Sequence, residues 1–284
     1  MTTLPPAAVL DVLPTRDRPT PACDPAVVVG HTPLAPAIHR LVLRAARVAA
    51  TAQAGQFVML SVPQAAGELI QLPRPMAVHR RRPGGDIEVV YNVQGRGTEA
   101  LSRVRPGDSL LVTGPLGRGF DLPATAGPLL AIGRGIGVCS FMTLVEDASA
   151  AGIPSTVVLS ARTDDRVIGR SDCAELGAEA LAVTDLDGTS AVEALDRRLA
   201  ARFADRAPGL VVVCGSHRLT ALAMTLARRW RVPLQVSVEA HMACGLGYCH
   251  GCALPRPADP GREGPLVCFD GPVFAVQGSP GAPA

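Results

Sequence analysis

Aromatic residues make up only 3% of this 284-residue chain, against 48% hydrophobic residues overall, so its cores must be aliphatic. Charge of one sign is also missing: 27 basic and 25 acidic residues leave a formal +2, no global field for nucleic acid or an anionic membrane. No apolar run reaches about 18 residues, so no membrane span is expected. The start, MTTLPPAAVLDVLP, has two early prolines and no basic residue, which does not read as a signal peptide. The sequence carries no Ser/His/Asp arrangement, no nucleophile elbow and no HExxH, and Asp164-Asp165 reads as an exposed loop pair. Hydrolytic chemistry is therefore not indicated, and no residue is assigned a catalytic role.

What is present is cysteine, eight in all, and four stand together: Cys244, Cys249, Cys252 and Cys268. The C-x4-C-x2-C spacing with a distant fourth thiol matches the plant-type pattern for a [2Fe-2S] cluster. Glycines at 245, 247 and 251 let a loop curl so that backbone N–H groups face the sulfurs. Zinc and disulfides are the alternatives, although structural zinc usually takes two short-spaced pairs. His241 and His250 read as bystanders beside four thiolates. Cys23, Cys139, Cys173 and Cys214 are scattered in apolar surroundings and read as small packed residues. Clustered rather than dispersed cysteines point to a cytoplasmic protein.

In chain order, the composition predicts a multidomain α+β protein: a flexible tail over 1–24, an antiparallel β-barrel over 25–124, an α/β domain with a parallel sheet over 125–238, and a small metal-stapled segment over 239–284. The first 24 residues are rich in Pro and Thr without a period. Short strand-like runs follow, separated by turn material such as Pro83-Gly84-Gly85. From about Gly127, strands such as PLLAIG and GLVVVCG alternate with helical segments.

Three stretches carry nucleotide-binding chemistry. Arg74-Pro75-Met76-Ala77-Val78 sets a guanidinium beside an extended X-Pro segment, suited to a diphosphate. Tyr91 through Thr98 runs from a strand over Gly95 and Gly97 into a helix, with Thr98 expected as N-cap. Gly133-Arg134-Gly135-Ile136-Gly137 follows a strand and precedes a helix, where an open parallel sheet holds a nucleotide, and Cys214-Gly215 ends a second strand of that sheet. Surface arginines and ordinary glycine turns explain each piece taken alone. The run His79–Arg82 reads as a solvated turn, or as a contact for an acidic cofactor or partner.

Together, RPMAV, YNVQGRGTEAL, GPLGRGF, GRGIGV, SART, VVVCGS, SVEAHMACGLGYCHGC and VCFDGPVF resemble the electron-transfer subunit of class 1B dihydroorotate dehydrogenase, over about residues 25 to 277. The wider resemblance is to the ferredoxin-reductase-like superfamily. It implies an oxidoreductase subunit of pyrimidine biosynthesis with FAD in the barrel, NAD on the α/β domain and a [2Fe-2S] cluster facing an FMN-containing catalytic subunit, in a heterotetramer. By position, Arg74, Ala77, Val78, Gly97 and Thr98 would lie along the flavin, and Gly133, Gly135 and Gly137 along the nicotinamide nucleotide. The chain departs from the family pattern at Ala77, where Ser or Thr is common, at Arg134 and Cys139-Ser140 in the glycine loop, and at Ser216, where proline is common. These departures fit a second expectation, a reductase subunit of the same fold serving a sulfide- or ferredoxin-linked partner; a third, of a different class, is a zinc-stapled binding protein.

Overall fold

The computed structural model describes residues 10–12, 18–63, 72–122, 127–256, 259 and 261–276. Its strands are Leu10–Val12 (β1), Ala22–Ala35 (β2), Ile38–Arg44 (β3), Phe57–Leu60 (β4), Arg74–Ala77 (β5), Arg80–Arg82 (β6), Asp86–Asn92 (β7), Ser109–Leu116 (β8), Leu129–Arg134 (β9), Ser155–Ala161 (β10), Glu179–Thr184 (β11), Leu210–Cys214 (β12), Leu234–Ser237 (β13) and Val273–Val276 (β14). The helices are Ala46–Thr51 (α1), Arg96–Leu101 (α2), Met142–Ala150 (α3), Arg170–Glu175 (α4), Val192–Arg202 (α5) and His217–Trp230 (α6).

The first sheet is antiparallel, in the order β5-β4-β8-β2-β3-β7-β6. Its strands alternate burial as one-sided strands should: Leu41 and Leu43 of β3 face the same core as Leu110 and Val112 of β8, while Ile38 packs on the other face. The chain from Arg74 to Arg82 closes the barrel, because β5 pairs with β4 and β6, three residues on, pairs with β7. Between them, the Val78 N–H donates to Gln56 O and the His79 N–H to Glu88 O.

The second sheet runs β1-β14-β13-β12-β9-β10-β11. Strands β9 to β13 are parallel and mostly buried on both faces, as a central parallel strand covered by helices requires. The stretch between β10 and β12 supplies α4, β11 and α5. At the far edge β14 returns antiparallel to β13, and β1 pairs antiparallel with β14. This sheet thus takes in Leu10–Val12, from the expected flexible tail, and Val273–Val276, from the expected cluster segment. The barrel's β2 likewise starts at Ala22, inside that tail, while residues 1–9 and 13–17 lie outside the described residues.

The His79–Arg82 run is not a solvated turn. Arg80, only 3% exposed, lies between the two halves of the molecule. Its guanidinium meets Glu146 of α3 at 2.5 Å, Asp172 of α4 at 3.1 Å and Glu175 of α4 at 3.2 Å. Arg40 of β3 reaches the second Asp172 oxygen at 3.0 Å, Arg81 holds Glu146 at 3.1 Å, and Arg82 holds Glu88 at 2.7 Å. The run is basic because it docks the barrel onto acidic helices, and guanidinium forks suit such shared, buried carboxylates.

Candidate functional site

Where the barrel meets the carboxyl edge of the second sheet there is a cavity of about 510 Å³. Its barrel wall is Arg74, Pro75, Met76 and Ala77 of β5 with Tyr91, Gly95, Gly97 and Thr98, so most of the residues expected along a flavin are brought together. Val78 is not among them: it is fully buried in the barrel core. Thr98 is present but not as N-cap. The helix begins at Arg96 with Gly95 as cap, and the Thr98 hydroxyl oxygen accepts from the Gln94 and Gly95 N–H groups at 3.0 and 3.2 Å, tightening the turn.

Gly97 has a specific reason to be glycine. A Cβ there would fall 2.2 Å from Arg74 Nη2, so the guanidinium lies flat against the bare backbone, braced by a 2.8 Å bond from Nη1 to Leu72 O. Gly95 has open space where its side chain would be. A fixed cation beside uncovered backbone fits the diphosphate of a dinucleotide. Because the colliding atoms are the end of a flexible side chain, Gly97→Ala is expected to fold normally but to swing Arg74 away. If the expected flavin diphosphate lies against Arg74, loss of that charge-assisted hydrogen bond weakens flavin binding by about 10- to 100-fold, read by flavin titration of the apoprotein.

The residues expected along the nicotinamide nucleotide lie at and just beyond the ends of β9 and β12. Gly133, Gly135, Gly137, Cys214 and Gly215 do not line this cavity, although Ile136, Cys139 and Ser140 of the same loop do. A Cβ on Gly137 would meet Gly215 Cα at 2.8 Å, and one on Gly215 would meet Arg134 O at 2.5 Å. These glycines let two strand-end loops touch. Gly135, at φ +53 with nothing within 4 Å, faces open space. Cys214 is buried, and burial, then the Glu239 charge, pushes it up to about 12, so it is a neutral thiol.

Sequence reasoning missed the third wall, Ser237 to Met242, which leads from β13 straight into the cysteine loop. The signal was adjacency, since Met242 is two residues from Cys244. Within this wall Glu239 lies 3.9 Å from Cys214 Sγ, and burial holds its carboxyl above the ordinary range.

The four cysteines of the tail fit a cluster. The Leu246 N–H points at Cys244 Sγ at 3.4 Å, the Gly247 N–H at Cys268 Sγ at 3.2 Å, and the Cys268 N–H at Cys252 Sγ at 3.4 Å. Burial opposes the Cys244 thiolate, yet the N–H groups of Leu246 and Cys249 bring it down to about 6. Burial and neighbouring Cys252 push Cys268 up to about 12, a repulsion that a bound cation removes. Among the described residues, the set of three or more His, Cys, Asp or Glu ligand atoms within 4.8 Å of one another is His79, Glu88 and Asp172. The thiols are therefore not gathered round one point, as a single tetrahedral zinc with bonds of about 2.3 Å requires. His79, Glu88 and Asp172 belong instead to the arginine network, where Arg40, Arg80 and Arg82 take the carboxylates.

Residues 239–278 match the family described as the iron-sulfur cluster binding domain of dihydroorotate dehydrogenase B. The chain is 32% identical to the dihydroorotate dehydrogenase B (NAD(+)) electron transfer subunit of Desulforamulus reducens, covering 85% of this chain and 92% of that protein. Against the subunit of the same name from Listeria monocytogenes it is 30% identical, over 88% of this chain and 96% of that one. Among solved structures, the NADH-dependent reduced ferredoxin-NADP oxidoreductase superposes with a TM-score of 0.69 at 25% identity, covering 88% and 87% of the two chains. The ferredoxin reductase of carbazole 1,9a-dioxygenase, at 19% identity and a TM-score of 0.56 over 72% and 65%, shares the fold. Among the described residues, no helix is long and apolar enough to cross a membrane.

Proposed function

We propose, since the chain belongs to the family of dihydroorotate dehydrogenase B electron transfer subunits, that it passes electrons between a partner that oxidises dihydroorotate and NAD. The carrying observation is the shared wall: one segment, Ser237 to Met242, lines the cavity and runs on into the cysteine loop. In this reading Arg74, Gly95, Gly97 and Thr98 hold the FAD diphosphate side, Pro75, Met76, Ala77 and Tyr91 border the ring, and Cys244, Cys249, Cys252 and Cys268 hold a [2Fe-2S] cluster. Val78, packed in the barrel core, supports β5 from behind. Gly133, Gly135, Gly137, Cys214 and Gly215 shape the nicotinamide side.

The bound groups supply the redox chemistry, one electron at a time at the cluster and as hydride at the flavin. What the chain supplies is placement. Ala77 offers no hydroxyl to the cavity; Glu239, whose carboxyl burial holds above the ordinary range, is an ionisable group on its lining, 3.9 Å from Cys214 Sγ. Around the cysteines, Tyr248 is 88% exposed, Leu246 51% and Phe269 41%, an apolar rim suited to a docking subunit. We assign that subunit as FMN-containing, in a heterotetramer, and the assembly to the cytoplasm.

The test is anaerobic purification followed by reconstitution with a class 1B catalytic subunit. Expected are flavin and iron in the chain and dihydroorotate-dependent NAD+ reduction in the complex. Iron and flavin without complex formation favour the ferredoxin-linked alternative, in keeping with the ferredoxin-NADP oxidoreductase likeness. Zinc without flavin or iron would sink both redox readings.

A further inference from the structure

One group of charges at the carboxyl edge of the parallel strands has no part in the cavity or the cysteine loop. Arg134, the last residue of β9, stretches across the end of β10, where its Nη1 donates to Ser160 Oγ at 3.1 Å. It then grips Asp185, one residue beyond β11, with both nitrogens: Nη1 to Oδ1 at 3.1 Å and Nη2 to Oδ2 at 2.6 Å. Arg218, in the first turn of α6, comes from the other side of β9, after β12. Its Nη2 donates to Asp185 Oδ1 at 2.5 Å and to Ser190 Oγ at 2.9 Å, and the buried Ser190 hydroxyl donates to the same carboxylate.

The position matters as much as the contacts. The sheet order places β12 and β9 side by side with their connections leaving in opposite directions, and open parallel sheets bind ligands outside the carboxyl ends at such a switch point. The bridge from Arg134 and Arg218 to Asp185 roofs that edge. Two guanidiniums face one carboxylate, leaving one positive charge in excess, and all three side chains are partly open to solvent, at 26%, 41% and 34% exposure. A fork that takes a carboxylate bidentately takes a phosphate in the same way.

We propose that Arg134 and Arg218 form a phosphate-receiving pair for the nicotinamide nucleotide, kept closed by Asp185, whose carboxylate gives way when a nucleotide phosphate takes its place. This rests on the α/β half binding such a nucleotide. Asp185 is then an internal competitor, and its removal has the opposite effect to the loss of a structural brace: it tightens ligand binding.

The test is calorimetric titration of the flavin-loaded protein with ADP and with 2′,5′-ADP, in wild type, Asp185→Asn, Arg134→Ala and Arg218→Gln. Asp185→Asn is expected to bind about tenfold more tightly, and each arginine variant about tenfold more weakly, the lower end for hydrogen bonds to charged groups. Tightening confined to 2′,5′-ADP places the ribose phosphate on the pair, whereas tightening toward ADP places the 5′ phosphates there. Asp185→Asn binding both ligands within twofold of wild type, or more weakly, overturns the exchange. Should that variant not fold, unchanged affinity in Arg134→Ala and Arg218→Gln does the same. No binding to any of the four proteins removes the nucleotide site itself, an outcome distinct from failure of dihydroorotate-linked electron transfer.

Discussion

Cys252→Ser is expected to strip the iron from the chain and to lower dihydroorotate-dependent NAD+ reduction more than about a hundredfold, beyond what loss of a merely supporting group costs a metal site. Cys252 is 4% exposed and Cys268 2% exposed, both packed with Leu254, Val267 and Phe274 in the core that continues under the parallel sheet. Serine at 252 leaves a hydroxyl where the Cys268 N–H now meets sulfur. The fold of that end is therefore retained well enough for flavin to bind. The expected result is a protein with flavin absorption, no iron, and reduction of its flavin by NADH that no longer passes to the partner. Iron retained at the wild-type level would remove Cys252 from the ligand set.

The second large effect is on stability. Asp172 is 2% exposed and receives Arg40 and Arg80, with His79 Nε2 at 3.4 Å. Burial works against its charge, but His79, Arg40 and Arg80 outweigh burial and hold the carboxyl well below the usual aspartate range. Asp172→Asn leaves buried guanidiniums without their anion and is expected to cost about 3–5 kcal/mol at neutral pH. The sign with pH follows from the depressed folded value. The contribution is fully present above the ordinary aspartate value near 4 and is lost progressively as pH falls below it. Urea unfolding at pH 7 should separate the two proteins widely, and at pH 3 the gap should narrow. A gap that stays constant, or widens in acid, contradicts the assignment of Asp172 as the central anion. Because this network joins the barrel to α3 and α4, the same variant should also release flavin more readily.

Much of this architecture was readable from residue order. The apolar runs of β9, β10 and β12 could only be buried strands, and the turns between the barrel strands carry their own glycines and prolines. The cysteine spacing pointed to a cluster because glycines 245 and 247 allow the loop to turn N–H groups inward, and both take positive φ. Three things were hidden. His79–Arg82 reads as a surface run because its carboxylate partners, Glu146, Asp172 and Glu175, lie 65 to 95 residues away in sequence and only folding brings them near. Thr98 reads as an N-cap because Gly95, which serves instead, has no capping side chain to announce it. Leu10–Val12 looks like part of a tail because a strand three residues long has no measurable period, and its pairing partner stands at the opposite end of the chain.

The wall formed by Ser237 to Met242 has a consequence for distance. Met242 borders the cavity and Cys244 opens the cysteine loop, so two residues of chain, at most about 7 Å of extended backbone, separate them. Carriers held on either side of this wall would be joined by a continuous covalent route through the chain itself. With a flavin in the cavity and a cluster on the cysteines, Met242, Ala243 and Cys244 would set the spacing between the two groups.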